Sequence, residues 1–168
     1  SLSQNLKKTD CLILPGVGAY DKASKYLFSN NLVEPIKEFA ASGGKIIGIC
    51  LGFQLLFKEG YEGGKISKGL GFIDGLVKDS SLTYGKNPFY GRSLNIGWRK
   101  VHSQDFKIDL DQKYFYFVHR YLIENCENFQ KPIYSYIDSK RKFLAGVNFN
   151  NISGYQFHPE KSGLAGIN

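Results

Sequence analysis

Short apolar runs and amphipathic stretches alternate through the first third of the chain. Asp10–Leu14 and Lys45–Ile49 are short, mostly apolar and bounded by Gly, Pro or Ser, which predicts two buried strands. Between them, residues 21–41 carry apolar side chains at helical spacing. Pro35 predicts two helical pieces there, because proline does not fit the interior of a helix. Residues 51–58, after the second strand, are predicted to form a helix.

The rest of the chain has a β pattern. Short β segments are predicted between Gly, Asn and Ser turns in residues 60–97, at 71–73, 75–77 and 93–96. A strong strand is predicted at 113–121, a hairpin pair at 133–137 and 143–148, and a last strand at 153–157. Strand, helix and strand followed by a β-rich insertion and further strands predict an α/β sheet with β decoration.

Composition narrows the class of protein. The 168 residues fit one domain, and 42% apolar residues suffice for a sizeable core. The longest strongly apolar runs are only a few residues long, whereas a membrane-spanning helix needs about 20, and no secretory signal is visible. The net charge of +7 comes from scattered Lys and Arg residues. This pattern favours a basic surface or an acidic partner over nucleic acid, since no RNA-binding aromatic signature or zinc-finger spacing occurs.

The three cysteines, Cys11, Cys50 and Cys126, are odd in number and far apart. They therefore support neither a disulfide framework nor a zinc site, and they fit a reducing compartment. Cys11 lies within an apolar strand and is predicted to be core. Cys126 lies among polar residues and is predicted to be on a loop.

The sharpest chemical signal is Cys50 in the sequence Gly-Ile-Cys-Leu-Gly, residues 48–52. This is the thiol counterpart of the Gly-x-Ser-x-Gly nucleophile elbow, and the predicted strand before it and helix after it are the context that such an elbow requires. The glycines permit a sharp turn and close packing. The alternative is a buried structural cysteine beside two packing glycines.

A cysteine nucleophile needs a base, and His158 is the leading candidate. It ends the last predicted strand, and Glu160 lies two residues further on the same face, where it can orient the imidazole. The alternative is a histidine at a strand end capped by a local carboxylate. His119, which also ends a strand, competes as a pocket residue, whereas His102 is predicted to lie on the surface.

An oxyanion site needs backbone donors near the nucleophile. The Leu51 amide is one candidate, and an amide of Val17 or Gly18, in the Pro-Gly-Val-Gly turn after the first strand, is the second. The alternative is an ordinary strand-to-helix turn. A phosphate-binding loop is disfavoured because no Lys-Ser/Thr follows in the required spacing.

Together these motifs resemble the glutaminase domain of triad (class I) glutamine amidotransferases, and within them the branch that serves imidazole glycerol phosphate synthase. The matching segments cover nearly the whole chain: residues 14–20, 48–54, 69–72, 96–98, 116–121 and 154–162. The resemblance implies a flavodoxin-like fold with a central, mostly parallel sheet flanked by helices. It also implies a single glutaminase domain over residues 1–168.

The resemblance implies a role for each matching residue. Cys50 attacks the side-chain amide of L-glutamine, His158 transfers protons and Glu160 holds the imidazole. Amides of Val17, Gly18 and Leu51 bind the oxyanion. The residues implied in glutamine binding are Gly52, Gln54, His119, Arg120 and Tyr121, and those implied at the partner interface are Trp98 and Lys161.

The resemblance also implies a partner protein and a metabolic pathway. The ammonia passes to a synthase subunit with a (β/α)8 barrel, in a cytoplasmic heterodimer of histidine biosynthesis. No cofactor, metal, nucleic acid or membrane is implied. The alternatives are a glutaminase that feeds a sugar-amidating enzyme of surface-polysaccharide synthesis, a non-catalytic scaffold subunit, and a cysteine hydrolase of similar elbow design.

Three departures from the family pattern stand out. Only ten residues precede the first strand, where the family has a strand, helix and strand, and the chain stops within the helix expected after Ser162; we therefore expect truncation at both ends. Arg120 stands where the family usually has a small serine. Residues 95–99, Asn-Ile-Gly-Trp-Arg, replace the usual His-Met-Gly-Trp-Asn of the partner-facing segment.

Overall fold

The structure is a computed structural model that describes residues 6, 8–84, 94–103, 110–124, 126, 132–137 and 140–167. The strands are β1 (Cys11–Leu14), β2 (Lys45–Ile49), β3 (Phe57–Glu62), β4 (Lys65–Lys68), β5 (Ile73–Asp79), β6 (Asn95–Ser103), β7 (Tyr114–His119), β8 (Tyr121–Glu124), β9 (Ile133–Tyr136), β10 (Lys142–Phe149) and β11 (Ile152–Tyr155). The helices are α1 (Tyr20–Ser29), α2 (Val33–Ala41), α3 (Leu51–Leu55), α4 (Ser80–Tyr84) and α5 (Leu164–Ile167), with a 3-10 turn at Pro159–Lys161.

Seven strands form the central sheet, in the order β1-β2-β11-β10-β9-β6-β7. β1, β2 and β11 are parallel neighbours, and all the other pairings in this sheet are antiparallel. The α/β class is confirmed, but the sheet is mixed rather than mostly parallel. The reason is that β9, β10 and β11 follow one another through short connections, which join antiparallel strands.

The β-rich insertion is a second sheet of four strands, in the order β4-β3-β5-β8. It begins earlier than expected, because the helix predicted at 51–58 ends at Leu55 and β3 starts at Phe57. The carbonyl groups at the end of α3 bond the following loop instead of a further helical turn: Leu55 accepts from the Leu70 amide at 2.7 Å and Leu56 from the Phe72 amide at 3.0 Å. Burial of Leu56 and Phe57 fixes this arrangement.

The two predicted helical pieces are α1 and α2, but Pro35 is not the break between them. The break is a turn at residues 30–32, where Asn31 has a φ of 53°. Pro35 lies in the first turn of α2, where a backbone N–H has no helical partner and its loss costs little.

Most predicted strands are confirmed in place, and one is divided. β1, β2, the β9–β10 hairpin and β11 match their predictions. The segments predicted at 71–73 and 75–77 correspond to the single strand β5, and residues 85–93 lie outside the described residues. The long strand predicted at 113–121 divides at Arg120: β7 pairs with β6, and β8 pairs with β5 in the other sheet.

Two buried clusters hold these layers together. The larger includes side chains of α1–α3 and of both sheets, among them Phe53, Leu56 and Ile152. The smaller is aromatic and includes Phe157, which stacks on Phe115 with ring centroids 4.2 Å apart. Because Phe157 is buried on one side of the chain, its neighbours in sequence, Gln156 and His158, are directed to the other side.

Candidate active site

Cys50 occupies the sharp turn between β2 and α3. Its backbone has φ 52° and ψ −106°, a conformation that costs a non-glycine residue about 1 to 3 kcal/mol. Two glycines make the turn possible. A Cβ on Gly48 would come 2.8 Å from the backbone nitrogen of Phe53, and one on Gly52 would overlap the carbonyl oxygen of Leu14. The predicted elbow is therefore present, with β1 packed directly against it.

The backbone around Cys50 is held by two hydrogen bonds. The Cys50 amide donates to the Tyr155 carbonyl at 2.8 Å, which ties the elbow to β11. The Leu51 amide, an expected oxyanion donor, donates to the Gly16 carbonyl at 3.2 Å. In this conformation the Leu51 amide is thus engaged within the protein.

Burial raises the pKa of the Cys50 thiol to about 11, and the charge of Glu160 acts in the same direction. The Leu51 amide, the Gln156 side chain and the Lys161 charge act against this shift. The resting sulfur is therefore a neutral thiol at neutral pH, and it needs a base in order to react.

His158 has the geometry of such a base. Its Nδ1 lies 2.6 Å from Oε1 of Glu160, which fixes the tautomer that carries hydrogen on Nδ1. The opposite nitrogen, Nε2, is buried and has no hydrogen-bond partner within the part of the chain that the structure describes. An imidazole oriented in this way presents a lone pair that can accept a proton.

Cys50 and His158 follow neighbouring parallel strands at the carboxyl end of the central sheet. Cys50 directly follows β2, His158 follows β11, and these strands are parallel neighbours with Ile49 opposite Tyr155. Each residue lines its own cavity, and Val17 lines both, so the turn at residues 15–18 lies between the two openings.

Strand β7 fixes the backbone of His158. The His158 amide donates to the Tyr116 carbonyl at 2.9 Å. Ser162, which is 2% exposed, connects the same two residues a second time. Its hydroxyl donates a hydrogen bond to the His158 carbonyl at 2.6 Å and accepts one from the Tyr116 amide at 3.0 Å. Ser162 was not among the predicted site residues.

The cavity beside Cys50 has a volume of about 290 Å³, at the small end of the range for small-molecule sites. It brings together eight of the predicted residues: Val17, Gly18, Cys50, Leu51, Gln54, His119, Arg120 and Tyr121. Gly52, predicted as a glutamine-binding residue, packs against Leu14 instead.

Both ring nitrogens of His119 are hydrogen-bonded to other protein groups. Its Nδ1 lies 3.0 Å from the Tyr121 carbonyl and its Nε2 lies 2.8 Å from Nδ2 of Asn95. Because the carbonyl can only accept, Nδ1 carries the hydrogen and Nε2 accepts from the amide. Burial lowers the pKa of His119 to about 4, so the ring is neutral. It positions Tyr121 and has no free ring nitrogen to offer a ligand.

Arg120 lines the cavity from the corner between the two sheets. Its Nε and a terminal nitrogen both contact Oδ2 of Asp79 at 2.7 Å. Burial opposes ionisation of Asp79, but hydrogen bonds from Ser81 and the Arg120 charge outweigh it and lower the pKa of this carboxyl. Asp79 was not predicted as a site residue, because no motif marks it.

Gln156 is the site residue most clearly missed. It is fully buried, its amide lies 3.6 Å from Sγ of Cys50, and Nε2 of Gln54 lies 3.0 Å from its Oε1. The available signal was its position: a polar residue in an apolar run, two residues before His158 and on the same side of the chain.

Trp98 and Lys161 lie outside the cavity. Trp98 is 51% exposed on β6, beside the equally exposed Ile96, and packs edge-on against Tyr116 with ring centroids 6.0 Å apart. Lys161 is exposed in the 3-10 turn. Over the described residues, no His, Cys, Asp and Glu side chains group as metal ligands, and no helix is long and apolar enough to cross a membrane.

The sequence is similar to those of known proteins over most of its length. Two curated relatives are imidazole glycerol phosphate synthase subunits HisH: one from Cyanidium caldarium, 37% identical over 93% of this chain and 75% of its own, and one from Rhodopirellula baltica, 39% identical over 90% and 71%.

Solved structures agree on the fold. A glutamine amidotransferase crystal structure superposes with a TM-score of 0.70 at 15% identity, covering 98% of this chain and 78% of that one. A glutamine amidotransferase from Thermotoga maritima gives 0.63 at 19% identity, covering 92% and 58%. The family model for class-I glutamine amidotransferases matches residues 1–166. This chain therefore belongs to the class-I glutamine amidotransferase family.

Proposed function

We propose that this chain is the glutaminase subunit of an imidazole glycerol phosphate synthase, and that it hydrolyses L-glutamine to glutamate and ammonia. The observation that carries the proposal is the strained Cys50 elbow at the sheet edge where the His158–Glu160 pair also lies. The names of the curated relatives support the histidine-biosynthesis acceptor over a sugar-amidating enzyme.

The proposed reaction uses the triad in two stages. Nε2 of His158 takes the thiol proton, and the Cys50 sulfur attacks the carboxamide carbon of glutamine. The tetrahedral intermediate collapses to a thioester when His158 returns the proton to the departing ammonia. Water, deprotonated by His158, then attacks the thioester; glutamate leaves and the thiol is restored. Glu160 stabilises the imidazolium formed in both stages.

Oxyanion stabilisation requires one local change. The Leu51 amide serves the intermediate only when the Gly16 carbonyl that it now contacts turns away. The segment at residues 15–18 would move for this, and Gly18, at φ 116° with open space around it, gives that segment conformational freedom. An amide of Val17 or Gly18 would then supply the second donor.

Glutamine would bind in the cavity beside Cys50. Gln54 offers its amide oxygen there, because its NH₂ group bonds Tyr121 and Gln156, and Tyr121 forms part of the wall. Arg120 brings a positive charge that suits the α-carboxylate of the substrate, and Asp79 fixes its guanidinium in place.

We place the synthase partner, a (β/α)8 barrel in a cytoplasmic heterodimer, against the surface around Trp98 and Lys161. Exposed aromatic and apolar side chains on β6 and β7, including Ile96, Trp98 and Tyr114, suit a protein interface. An enclosed path matters for this chemistry, since ammonia in bulk water becomes protonated and ceases to be a nucleophile.

The test is glutamine hydrolysis by the complex of this chain with its synthase partner. We expect Cys50→Ala to abolish glutamate release, and Cys126→Ala, a second cysteine that does not line the cavity, to leave it unchanged. Equal hydrolysis by the Cys50→Ala and unmodified complexes would reject the function.

A further inference from the structure

The Gln156 side chain joins the nucleophile to the cavity wall through a short chain of buried amides. Gln156 is fully buried, and Gln54 is 5% exposed. Nε2 of Gln54 lies 3.0 Å from Oε1 of Gln156, and Nε2 of Gln156 lies 3.6 Å from Sγ of Cys50. The backbone of Gln156 is also fixed, because its amide donates to the Ala145 carbonyl of β10 at 2.8 Å.

The direction of this chain follows from donor and acceptor chemistry. The Tyr121 carbonyl can only accept, and it takes hydrogen bonds from Nδ1 of His119 at 3.0 Å and from Nε2 of Gln54 at 3.5 Å. The NH₂ group of Gln54 therefore faces Tyr121 and Gln156. Gln156 therefore accepts this hydrogen bond with its side-chain oxygen, and its own NH₂ group is directed at the sulfur.

A donor directed at sulfur favours one state of the nucleophile. A thiolate accepts a hydrogen bond strongly, whereas a neutral thiol is a weak acceptor. Burying a primary amide is costly unless its groups are paired, and an apolar side chain would fill the same space without that requirement. Resting on the proposed function, we propose that Gln156 is a positioning residue that orients the Cys50 sulfur and stabilises its thiolate, and that Gln54 anchors the Gln156 amide.

The electrostatic surroundings of the sulfur agree with this role. Besides Cys50, the titratable and charged groups of the site are His158, Glu160, Lys161, His119, Arg120 and Tyr121. Burial and the Glu160 charge raise the pKa of Cys50, whereas the Gln156 amide lowers it. Loss of the Gln156 hydrogen bond is therefore expected to raise the pKa of Cys50 further and to make its thiolate less stable.

The test measures thiol reactivity in the absence of glutamine. In the complex, the rate of Cys50 alkylation by iodoacetamide is followed between pH 7 and 10, with mass spectrometry to separate Cys50 from Cys11 and Cys126. Gln156→Leu removes the donor at similar volume. We expect alkylation of Cys50 at pH 8 to fall about three- to tenfold, and its pH profile to move upward by about one unit.

The matched control is Ile152→Val, which alters buried packing on β11 without touching the amide chain; we expect the unmodified rate. Gln54→Met leaves the Gln156 donor in place and removes its anchor, so we expect a smaller shift in the same direction. This second variant carries the test if Gln156→Leu does not fold. Alkylation profiles equal to that of Ile152→Val in the folded variants would overturn the proposal.

Catalysis gives an independent readout. A positioning role predicts that Gln156→Leu lowers kcat for glutamine and leaves KM nearly unchanged, because Gln156 does not line the cavity. Failure of the two proposals is distinguishable. A complex that hydrolyses no glutamine rejects the function, while the comparison of thiol reactivity still decides the role of Gln156.

Discussion

Residue 50 combines the reactive group and the backbone strain of the site. At φ 52° and ψ −106° only glycine is free of steric cost, and the packing of Gly48 and Gly52 holds the turn in that shape. The strain is a cost to folding that places the sulfur at the end of β2, facing the cavity.

This strain is measurable by substitution. We expect Cys50→Gly to be more stable than Cys50→Ala by about 1 kcal/mol, because alanine keeps the steric cost of the turn and glycine relieves it. Urea unfolding of the two inactive variants gives the comparison. Because glycine loses more backbone entropy on folding than alanine, Cys50→Gly less stable than Cys50→Ala by about 1 kcal/mol would indicate that the elbow is not strained.

Gly52 tests the packing beneath the elbow. We expect Gly52→Ala to destabilise the protein by more than about 3 kcal/mol, since its Cβ would overlap the Leu14 carbonyl and β1 would have to move. Gly64→Ala is the control: Gly64 has a φ of 79° but open space around it, so we expect a loss of only about 1 kcal/mol. Similar losses in the two variants would argue against the close packing of β1.

Glu160 is the residue through which the base can be tested. We expect Glu160→Gln to lower kcat about 10- to 100-fold with little change in KM, because an amide no longer stabilises the imidazolium and can favour the wrong tautomer. Glu34→Gln, an exposed carboxylate on α2, is the control. Steady-state glutamine hydrolysis measures both, and an unchanged kcat in Glu160→Gln would remove Glu160 from the mechanism.

Sequence motifs identified candidate reactive residues but missed those that support them. Cys50, His158 and Glu160 stand in local patterns whose chemistry can be recognised directly. Asp79 and Gln156 act through contacts 41 and 106 residues away along the chain. Such partners depend on the register between strands, which local patterns do not specify.

At the scale of elements, strand β7 holds the backbone of His158, the proposed base, in position. Its Tyr116 contacts the backbone of His158 directly and again through Ser162. The same Tyr116 packs against the exposed Trp98. The catalytic histidine of our proposal is therefore fixed to the strand pair that carries the proposed partner surface.

Removal of this bridge is expected to affect both stability and rate. Ser162→Ala removes the partner of the part-buried Tyr116 amide, so we expect a loss of about 1 to 2 kcal/mol in unfolding free energy and a fall of roughly 10- to 100-fold in kcat. Ser24→Ala, which removes a buried hydroxyl that bonds the Lys68 carbonyl, is expected to affect stability alone. An unchanged kcat in folded Ser162→Ala would show that the bridge is only structural.

Element prediction succeeded where the pattern was local. The apolar runs of β1 and β2 were sufficient to predict these strands, because a short apolar run between turn residues is the main signal of a buried strand. The division at Arg120 was not predictable from the run 113–121, whose β pattern is continuous; the division arises because β8 pairs with β5 of the second sheet. The early end of α3 likewise depends on loop contacts that are distant in sequence.

At the scale of the whole molecule, the buried neutral His119 makes the fold sensitive to acid. Burial lowers its pKa from an ordinary 6.5 to about 4, so the unfolded chain binds a proton more readily than the native protein does. The contribution of His119 to the unfolding free energy is therefore fully present above pH 6.5. It is lost as the pH falls towards 4, and the loss amounts to about 3 kcal/mol. Urea unfolding across this range should show the loss, with His119→Phe less pH-dependent and His102→Gln, a change at a surface histidine, unaltered.

The central claim is that Cys50 is the nucleophile of a glutamine site. It is tested most directly by a diazoketone analogue of glutamine, followed by mass spectrometry of the complex. We predict a single adduct on Cys50 that forms more slowly when glutamine is present and is absent in Cys50→Ala. An adduct on Cys11 or Cys126 instead, or labelling that glutamine does not slow, would contradict the account.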